Sequence, residues 1–260
     1  MSDPRIRVSN LVFSWPDGTP VLQDLSFVLG AVRTGLVAPN GAGKSSLLKL
    51  LAGELQPQAG WIEVSGIVGY LPQDLVLDGE ATVAEVLGIA AKLRALEAIA
   101  AGDADPAHFD TVGNDWDLRE RSMATLARLG LGELALERRL LTFSGGETMS
   151  LGLAAQLLRR PGVLLLDEPS NNLDRTARQR LHSVLQDWKG CLLVASHDRE
   201  LLEQMDQVAE LTPTGLRVYG GGFSFYRDAL ETAQNAAEQQ ARNLRSEAKR
   251  EQRAMQQSRD

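Results

Sequence analysis

The stretch Ala38-Pro39-Asn40-Gly41-Ala42-Gly43-Lys44-Ser45 holds the densest concentration of chemistry in the chain. It follows the apolar run Val32 to Ala38, and the apolar spacing from Ser45 to Ala52 predicts a helix that Gly53 ends. A loop of small residues between a strand and a helix turns successive backbone N–H groups toward one point, and the helix N-terminus adds positive potential there. Phosphate oxygens are the anions such a loop takes. Asn40, Gly41, Ala42, Gly43 and Ser46 are then loop residues around a nucleotide, Lys44 bridges its outer phosphates, and the Ser45 hydroxyl ligates Mg²⁺. Ala38 stands where the pattern G-x-x-x-x-G-K-[ST] opens on glycine, and alanine is tolerable there if its φ stays negative.

A second constellation completes that chemistry. The apolar run Gly162 to Leu166 ends in Asp167-Glu168, so a parallel strand delivers two carboxylates to the phosphate loop. Asp167 is expected to hold Mg²⁺ through its water shell. Glu168 is expected to polarise the water that attacks the γ-phosphate, because phosphoryl transfer asks for positioning more than for covalent chemistry. Together the two constellations predict binding of a nucleoside triphosphate and hydrolysis of its γ-phosphate.

The elements that carry these residues follow from the periodicity. Ile6 to Phe13, Val21 to Leu29 and Val32 to Ala38 read as strands, with turn chemistry at Trp15-Pro16-Asp17-Gly18. Trp61 to Val64 and Ile67 to Leu71 read as short strands. Thr82 to Ala101 and Asp117 to Leu136 read as helices, separated by a surface loop at Gly102-Asp103-Ala104-Asp105-Pro106. A helix from Glu147, a strand Val163 to Leu166, a helix near Arg175 to Trp188 and a strand around Leu193 follow. Strands alternating with helices predict an α/β fold with a mostly parallel sheet.

Composition narrows the class. Of 260 residues 43% are hydrophobic and 23% charged, which excludes a disordered or collagenous chain. With 27 Lys+Arg against 34 Asp+Glu the formal charge is -7, so any polyanionic partner must be met locally. The one cysteine, Cys191, sits in an apolar run and reads as a buried strand thiol suited to a reducing cytoplasm. No apolar run reaches the ~18 residues of a membrane-spanning helix. The last 38 residues, Phe223 to Asp260, contain neither Gly nor Pro and predict a long charged helix after Gly220-Gly221-Gly222. The chain stops inside that pattern and reads as half of a longer architecture.

With these motifs in place the chain resembles the ATPase domain of the ABC superfamily, over residues 5 to about 220. The resemblance implies a P-loop NTPase of ABC type, with an antiparallel β subdomain and a helical subdomain (about 82–160) beside the core sheet. Gln73, in Tyr70-Leu71-Pro72-Gln73, matches the glutamine that joins the metal shell. Phe143-Ser144-Gly145-Gly146-Glu147 resembles the family signature, so Ser144, Gly145, Gly146 and Glu147 are expected to bind ATP in trans, across a head-to-tail pairing with a second ATPase domain. Thr142-Phe143 opens that signature where a leucine is usual. Ser170 to Asp174 resembles the D-loop, and His197 matches the switch histidine that reaches the γ-phosphate. Trp15 is the position expected to stack on adenine, with Phe13 the alternative.

Phosphate-loop motifs do not separate transport from other uses. Gly221-Gly222-Phe223-Ser224-Phe225-Tyr226 before a long charged helix resembles the ABC-F branch, in which a helical linker joins two ATPase domains and reaches into the ribosome. That resemblance implies an ATP-binding domain over 1–222 and the start of the interdomain linker over 223–260. It further implies a cytoplasmic translation factor or a ribosome-protecting resistance protein, with low turnover for the isolated chain. Arg242, Arg245, Lys249, Arg250 and Arg253 are the linker cations available to rRNA or tRNA phosphates. Two other readings stand beside it: the ATP-binding subunit of a membrane transporter, and a clamp that binds ATP but scarcely hydrolyses it.

Overall fold

A computed structural model describes residues 6–212 and 215–257, without the side chains of residue 237 and of 242–257. The basic run from Arg242 to Arg253 therefore lies outside the described residues as far as its side chains are concerned. The chain is α/β. Six strands form the core sheet in the order β5 (Val68–Leu71), β6 (Val163–Asp167), β7 (Cys191–Ala195), β3 (Arg33–Val37), β8 (Gln207–Thr212) and β9 (Gly215–Gly220). The first five run parallel and β9 pairs antiparallel with β8. A separate antiparallel sheet has the order β2 (Pro20–Leu29), β1 (Ile6–Ser14), β4 (Ala59–Val64).

Every residue of β6 and of β7 is buried, and alternate side chains enter two different cores. Leu164, Leu166, Leu192 and Val194 pack with helices α6 (Gly145–Leu158) and α7 (Arg175–Gln186). Val163, Leu165, Cys191 and Leu193 pack on the other face with α1 (Lys44–Leu51) and the antiparallel sheet. Two-faced burial explains why these strands read as unbroken apolar runs, each large side chain contributing about 1.5–3 kcal/mol. Burial also pushes the Cys191 thiol up to about 11, so it is an inert core group as expected.

The helical unit departs from the periodicity reading in three places. The helix expected over 82–101 is two, α2 (Val83–Val86) and α3 (Ala90–Ala100), because Gly88 between them has φ of 70°. The expected surface loop is shorter, since Pro106 opens α4 (Pro106–Val112) from the cap of Asp105, whose carboxylate accepts from the Ala107 N–H at 2.9 Å. Proline suits a first helical position, where its missing N–H is no loss. The helix expected to reach Leu136 is α5 (Leu118–Arg128), ended near Gly130 at φ 81°. Besides α4, three elements were not foreseen: α8 (Arg199–Glu203), β8 and β9. A five-residue helix has no periodicity to read, and the sheet-edge strand β9 is largely unburied, so it carries no apolar run.

α9 (Phe223–Gln257) is rooted on α8 and β8. The Ser224 N–H and hydroxyl both donate to Glu203 Oε2, at 2.8 and 3.0 Å, and the Tyr226 hydroxyl donates to Glu210 Oε1 at 3.0 Å. Gly222 lies so close that a Cβ there would stand 2.5 Å from the Glu203 carbonyl oxygen. From Glu231 to Ala241 every described side chain is exposed, so the helix leaves the body within about two turns.

Candidate active site

Four neighbouring strands, β5, β6, β7 and β3, end on one edge of the sheet, and each hands over a residue singled out by its chemistry. Gln73 follows β5, Asp167 and Glu168 close β6, His197 follows β7, and the phosphate loop follows β3. The carboxyl edge of a parallel sheet is where such folds bind ligands. A cleft of 560 Å³ opens there, lined by Asn40, Gly41, Gly43, Lys44, Ser45, Ser46, Gln73, Asp167, Glu168 and His197 together with Trp15. Ala42 does not line it; its N–H turns inward to the Pro39 carbonyl at 3.2 Å. Thr19, Pro20 and Val21 also line the cleft and were missed in the sequence, where the turn before them was the one available signal.

The loop geometry accounts for its glycines. Gly41 and Gly43 have φ of 79° and 95°, and a Cβ on Gly43 would stand 2.6 Å from Val21 Cγ1, so the antiparallel sheet braces the loop at a place only glycine fits. Ala38 has no positive φ, so the missing first glycine leaves no strain. α1 starts from Gly43 without a side-chain cap and without an acidic residue in its first turn, which leaves its first N–H groups free for an anion. Lys44 is 8% exposed and its ammonium donates to the Ala38 carbonyl at 3.0 Å. His197 reaches over the loop: its Nε2 is 3.1 Å from Asn40 Oδ1, 3.4 Å from Lys44 Nζ and 3.4 Å from Glu168 Oε1.

The two carboxylates differ in what surrounds them. Glu168 sits at φ 47°, a left-handed conformation that costs a non-glycine residue about 1–3 kcal/mol, and it is held there by its N–H on the Ala195 carbonyl at 2.8 Å. Burial pushes its carboxyl above the usual range while His197 pulls it partly back. A carboxylate held high is a better proton acceptor near neutral pH. Burial likewise raises Asp167, and the Ser45 hydroxyl and Lys44 ammonium oppose that rise. Asp167 Oδ1 is buried and accepts no hydrogen bond, which leaves it free for a cation or its water shell. Among the described residues no three His, Cys, Asp or Glu side chains cluster to cage a metal. The donor set of Ser45, Gln73 and Asp167 suits Mg²⁺, which keeps water and shares its shell with phosphates. A bound Mg²⁺ would supply charge neutralisation on the β- and γ-phosphate oxygens.

The signature residues do not line this cleft. Ser144 caps α6 in a reciprocal box: Ser144 Oγ accepts from the Glu147 N–H at 3.3 Å, and Glu147 Oε2 accepts from the Ser144 N–H and hydroxyl, both at 2.8 Å. That bonding holds the Glu147 carboxyl below its usual range. A Cβ on Gly146 would stand 3.2 Å from the Asn172 carbonyl oxygen, so the signature rests on the chain's own 170–174 segment. Phe143, at the variant end of the motif, packs on the helical core with the Arg138 guanidinium 5.0 Å from its ring centre.

Trp15 is 38% exposed in the cleft, and the buried Phe13 meets it edge-on with ring centres 5.2 Å apart. Trp15 therefore offers the free face, and Phe13 supports it from below. Stacking of a base on an aromatic ring is worth about 1–3 kcal/mol, so Trp15→Ala is expected to weaken ATP about 5- to 150-fold, and Trp15→Phe to restore most of it. Calorimetric titration checks this, and an affinity within twofold of wild type would remove Trp15 from the site.

Comparison with known proteins identifies the family. The ABC transporter family profile matches residues 22–171. The chain is 37% identical to the tylosin resistance ATP-binding protein TlrC of Streptomyces fradiae, over 91% of this chain and 48% of that protein. It is 32% identical to the energy-dependent translational throttle protein EttA of Haemophilus influenzae, over 88% of this chain and 38% of that protein. The chain thus spans about half or less of the length of these relatives. A solved ATP-binding subunit of an ABC transporter has the same fold, with a TM-score of 0.67 at 23% identity, covering 87% of this chain and 93% of that one. TlrC and EttA are of the ABC-F type that residues 221–226 resemble, and the chain belongs to the ABC transporter family as one of its ATP-binding chains.

Proposed function

We propose that the chain is an ATP-hydrolysing half of an ABC-F type protein, with an ATP-binding domain over 1–222 and the start of an interdomain linker over 223–260, and that it works on the ribosome in the cytoplasm. Lys44 and the loop N–H groups hold the phosphates, Ser45, Gln73 and Asp167 share the Mg²⁺ shell, and Glu168 takes the proton of the attacking water with His197 beside the γ-phosphate. Ser144, Gly145, Gly146 and Glu147 serve the opposite site in trans, so turnover needs a second ATPase domain. The observation that carries the reading is the pairing of an ATP-type cleft with α9, a 35-residue helix whose described side chains are exposed from Glu231 on. At 1.5 Å per residue it is about 52 Å long, further than one domain needs and enough to reach a distant partner. The names of TlrC and EttA, a tylosin resistance ATP-binding protein and an energy-dependent translational throttle protein, support the ribosome as that partner. No helix among the described residues is long and apolar enough to cross a membrane.

The test uses the full-length protein carrying Glu168→Gln and its counterpart in the second domain, sedimented with ribosomes across a salt series. Binding that needs ATP and falls steeply with salt is expected, because linker cations on phosphates release counterions. Pelleting with membranes instead of ribosomes would turn the reading toward transport.

A further inference from the structure

His197 needs to be placed accurately, yet its side chain is 57% exposed and has little packing of its own. What holds it is the backbone on either side. Ser196 is fully buried and its hydroxyl accepts from the Asp198 N–H at 3.0 Å. Asp198 is the other anchor, with a side chain only 9% exposed. Its Oδ1 accepts from the N–H groups of Glu200 and Leu201, at 3.0 and 3.2 Å, and so caps α8. Its Oδ2 faces away from α8 toward α7, 3.4 Å from His182 Nε2 and 3.5 Å from Arg178 Nε.

This cluster is buried and incompletely bonded. The His182 side chain is 8% exposed, and its Nδ1 is 3.4 Å from Gln204 Nε2 at the end of α8. Asp198 Oδ2, His182 Nε2, Arg178 Nε and Gln204 Oε1 are all buried without an aligned hydrogen bond. Nine in ten buried polar atoms in proteins are hydrogen-bonded, and here Asp198 meets His182 and Arg178 in long ion contacts that fall short of aligned hydrogen bonds. Closing the gaps takes a few tenths of an ångström, to the about 2.9 Å of a good N–H···O bond. None of the α7 residues lines the ATP cleft, although Arg178 shares an adjoining cavity with Glu168, Asn171 and His197, and the cluster's bonded route to the cleft is the turn that carries His197.

We infer that Asp198, gripped from α7 by His182 and Arg178, is a positioning residue that sets the His197 ring over Lys44 and Glu168. α7 begins at Asp174, whose carboxylate caps it from the end of the 170–174 segment, accepting from the Ala177 N–H at 2.7 Å. One rigid helix therefore joins that segment to the back of His197. The inference rests on the ATP hydrolysis proposed above.

The competing account is that Asp198 does no more than cap α8, and Asn separates the two, since it caps as well as Asp and carries no charge. In the full-length protein we would compare Asp198→Asn, His182→Gln and the pair, following ATP kinetics, thermal stability and the His197 imidazole resonance, assigned by its loss in His197→Gln. Asp198→Asn is expected to keep its Tm within about 3 °C and its KM within about threefold while kcat falls about tenfold or more. His182→Gln should lower kcat about 3- to 10-fold, and the pair should be no worse than Asp198→Asn alone, as residues on one route are not additive. The His197 resonance should move in each variant. A kcat within about twofold of wild type with an unmoved His197 resonance would overturn the inference, as would a kcat loss that tracks a fall in Tm. A wild-type protein that does not turn over ATP, but whose His197 resonance moves in the variants, would sink the ATPase reading and leave the positioning role standing.

Discussion

Glu168→Gln in the full-length protein is expected to lower ATP turnover by about 10²–10⁴-fold while ATP and Mg²⁺ still bind, the range a positioned general base contributes. The amide keeps the shape of the side chain and still accepts from the His197 N–H, which in the native chain reaches Glu168 Oε2 at 3.3 Å. It cannot accept a proton from water. The pH dependence follows from the same residue. Burial holds the native carboxyl above the usual Glu range, so its protonation sets in at higher pH than for an exposed glutamate, and turnover falls as pH drops through that value. The Gln variant should retain only a residual rate without that acid limb. Single-turnover measurements across pH check both statements, and a variant within threefold of wild type would take the base role away from Glu168.

Lys44→Ala is expected to act on binding itself. Its ammonium is nearly buried; it donates to the Ala38 carbonyl at 3.0 Å and lies 3.4 Å from His197 Nε2, and Asp167 and Glu168 act on it through charge without a hydrogen bond to it. A triphosphate in the cleft would meet a desolvated cation there. Hydrogen bonds to charged groups are worth about 1.5–3 kcal/mol, so the loss should weaken Mg-ATP by about 10- to 150-fold. The fold should survive, because the cores on both sheet faces lack Lys44 and the loop keeps its glycines. Calorimetric titration with Mg-ATP separates the outcomes: an affinity within threefold of wild type would contradict the phosphate-loop assignment.

The two variants divide the site by cause. On the proposed reading Lys44 acts in the ground state, where charge and desolvation decide affinity, and Glu168 acts on the transferred proton along the reaction. Asp198 belongs with Glu168 in this division, since it does not line the cleft and is inferred to work through the placement of His197.

Much of this was legible before any coordinates. The phosphate loop announces itself because its requirements are local: a strand, glycines at positive φ, a lysine and a hydroxyl within eight consecutive residues. β6 and β7 were legible for a different reason, burial on both faces, which forces unbroken apolar runs. The same logic explains the failures. β9 is half-solvated, α8 is one turn long, and the helix expected through Gly88 breaks on a backbone conformation that hydrophobic periodicity does not register.

What the amino-acid sequence determined by itself was the kind of chemistry and the identity of most groups that carry it, since residue type and spacing dictate those within one strand, loop or helix. The tertiary structure decided how they meet, turning expected neighbours into distances and supplying braces that no motif announces. Sheet order brings Gln73, Asp167, Glu168 and His197 to one edge from positions up to 124 residues apart, and keeps Ser144 to Glu147 out of the same cleft. It also bent Val21 against the phosphate loop and placed His182 behind Asp198. Those contacts depend on strand order, helix packing and the burial of charge, and long-range packing leaves no pattern in a short window of sequence.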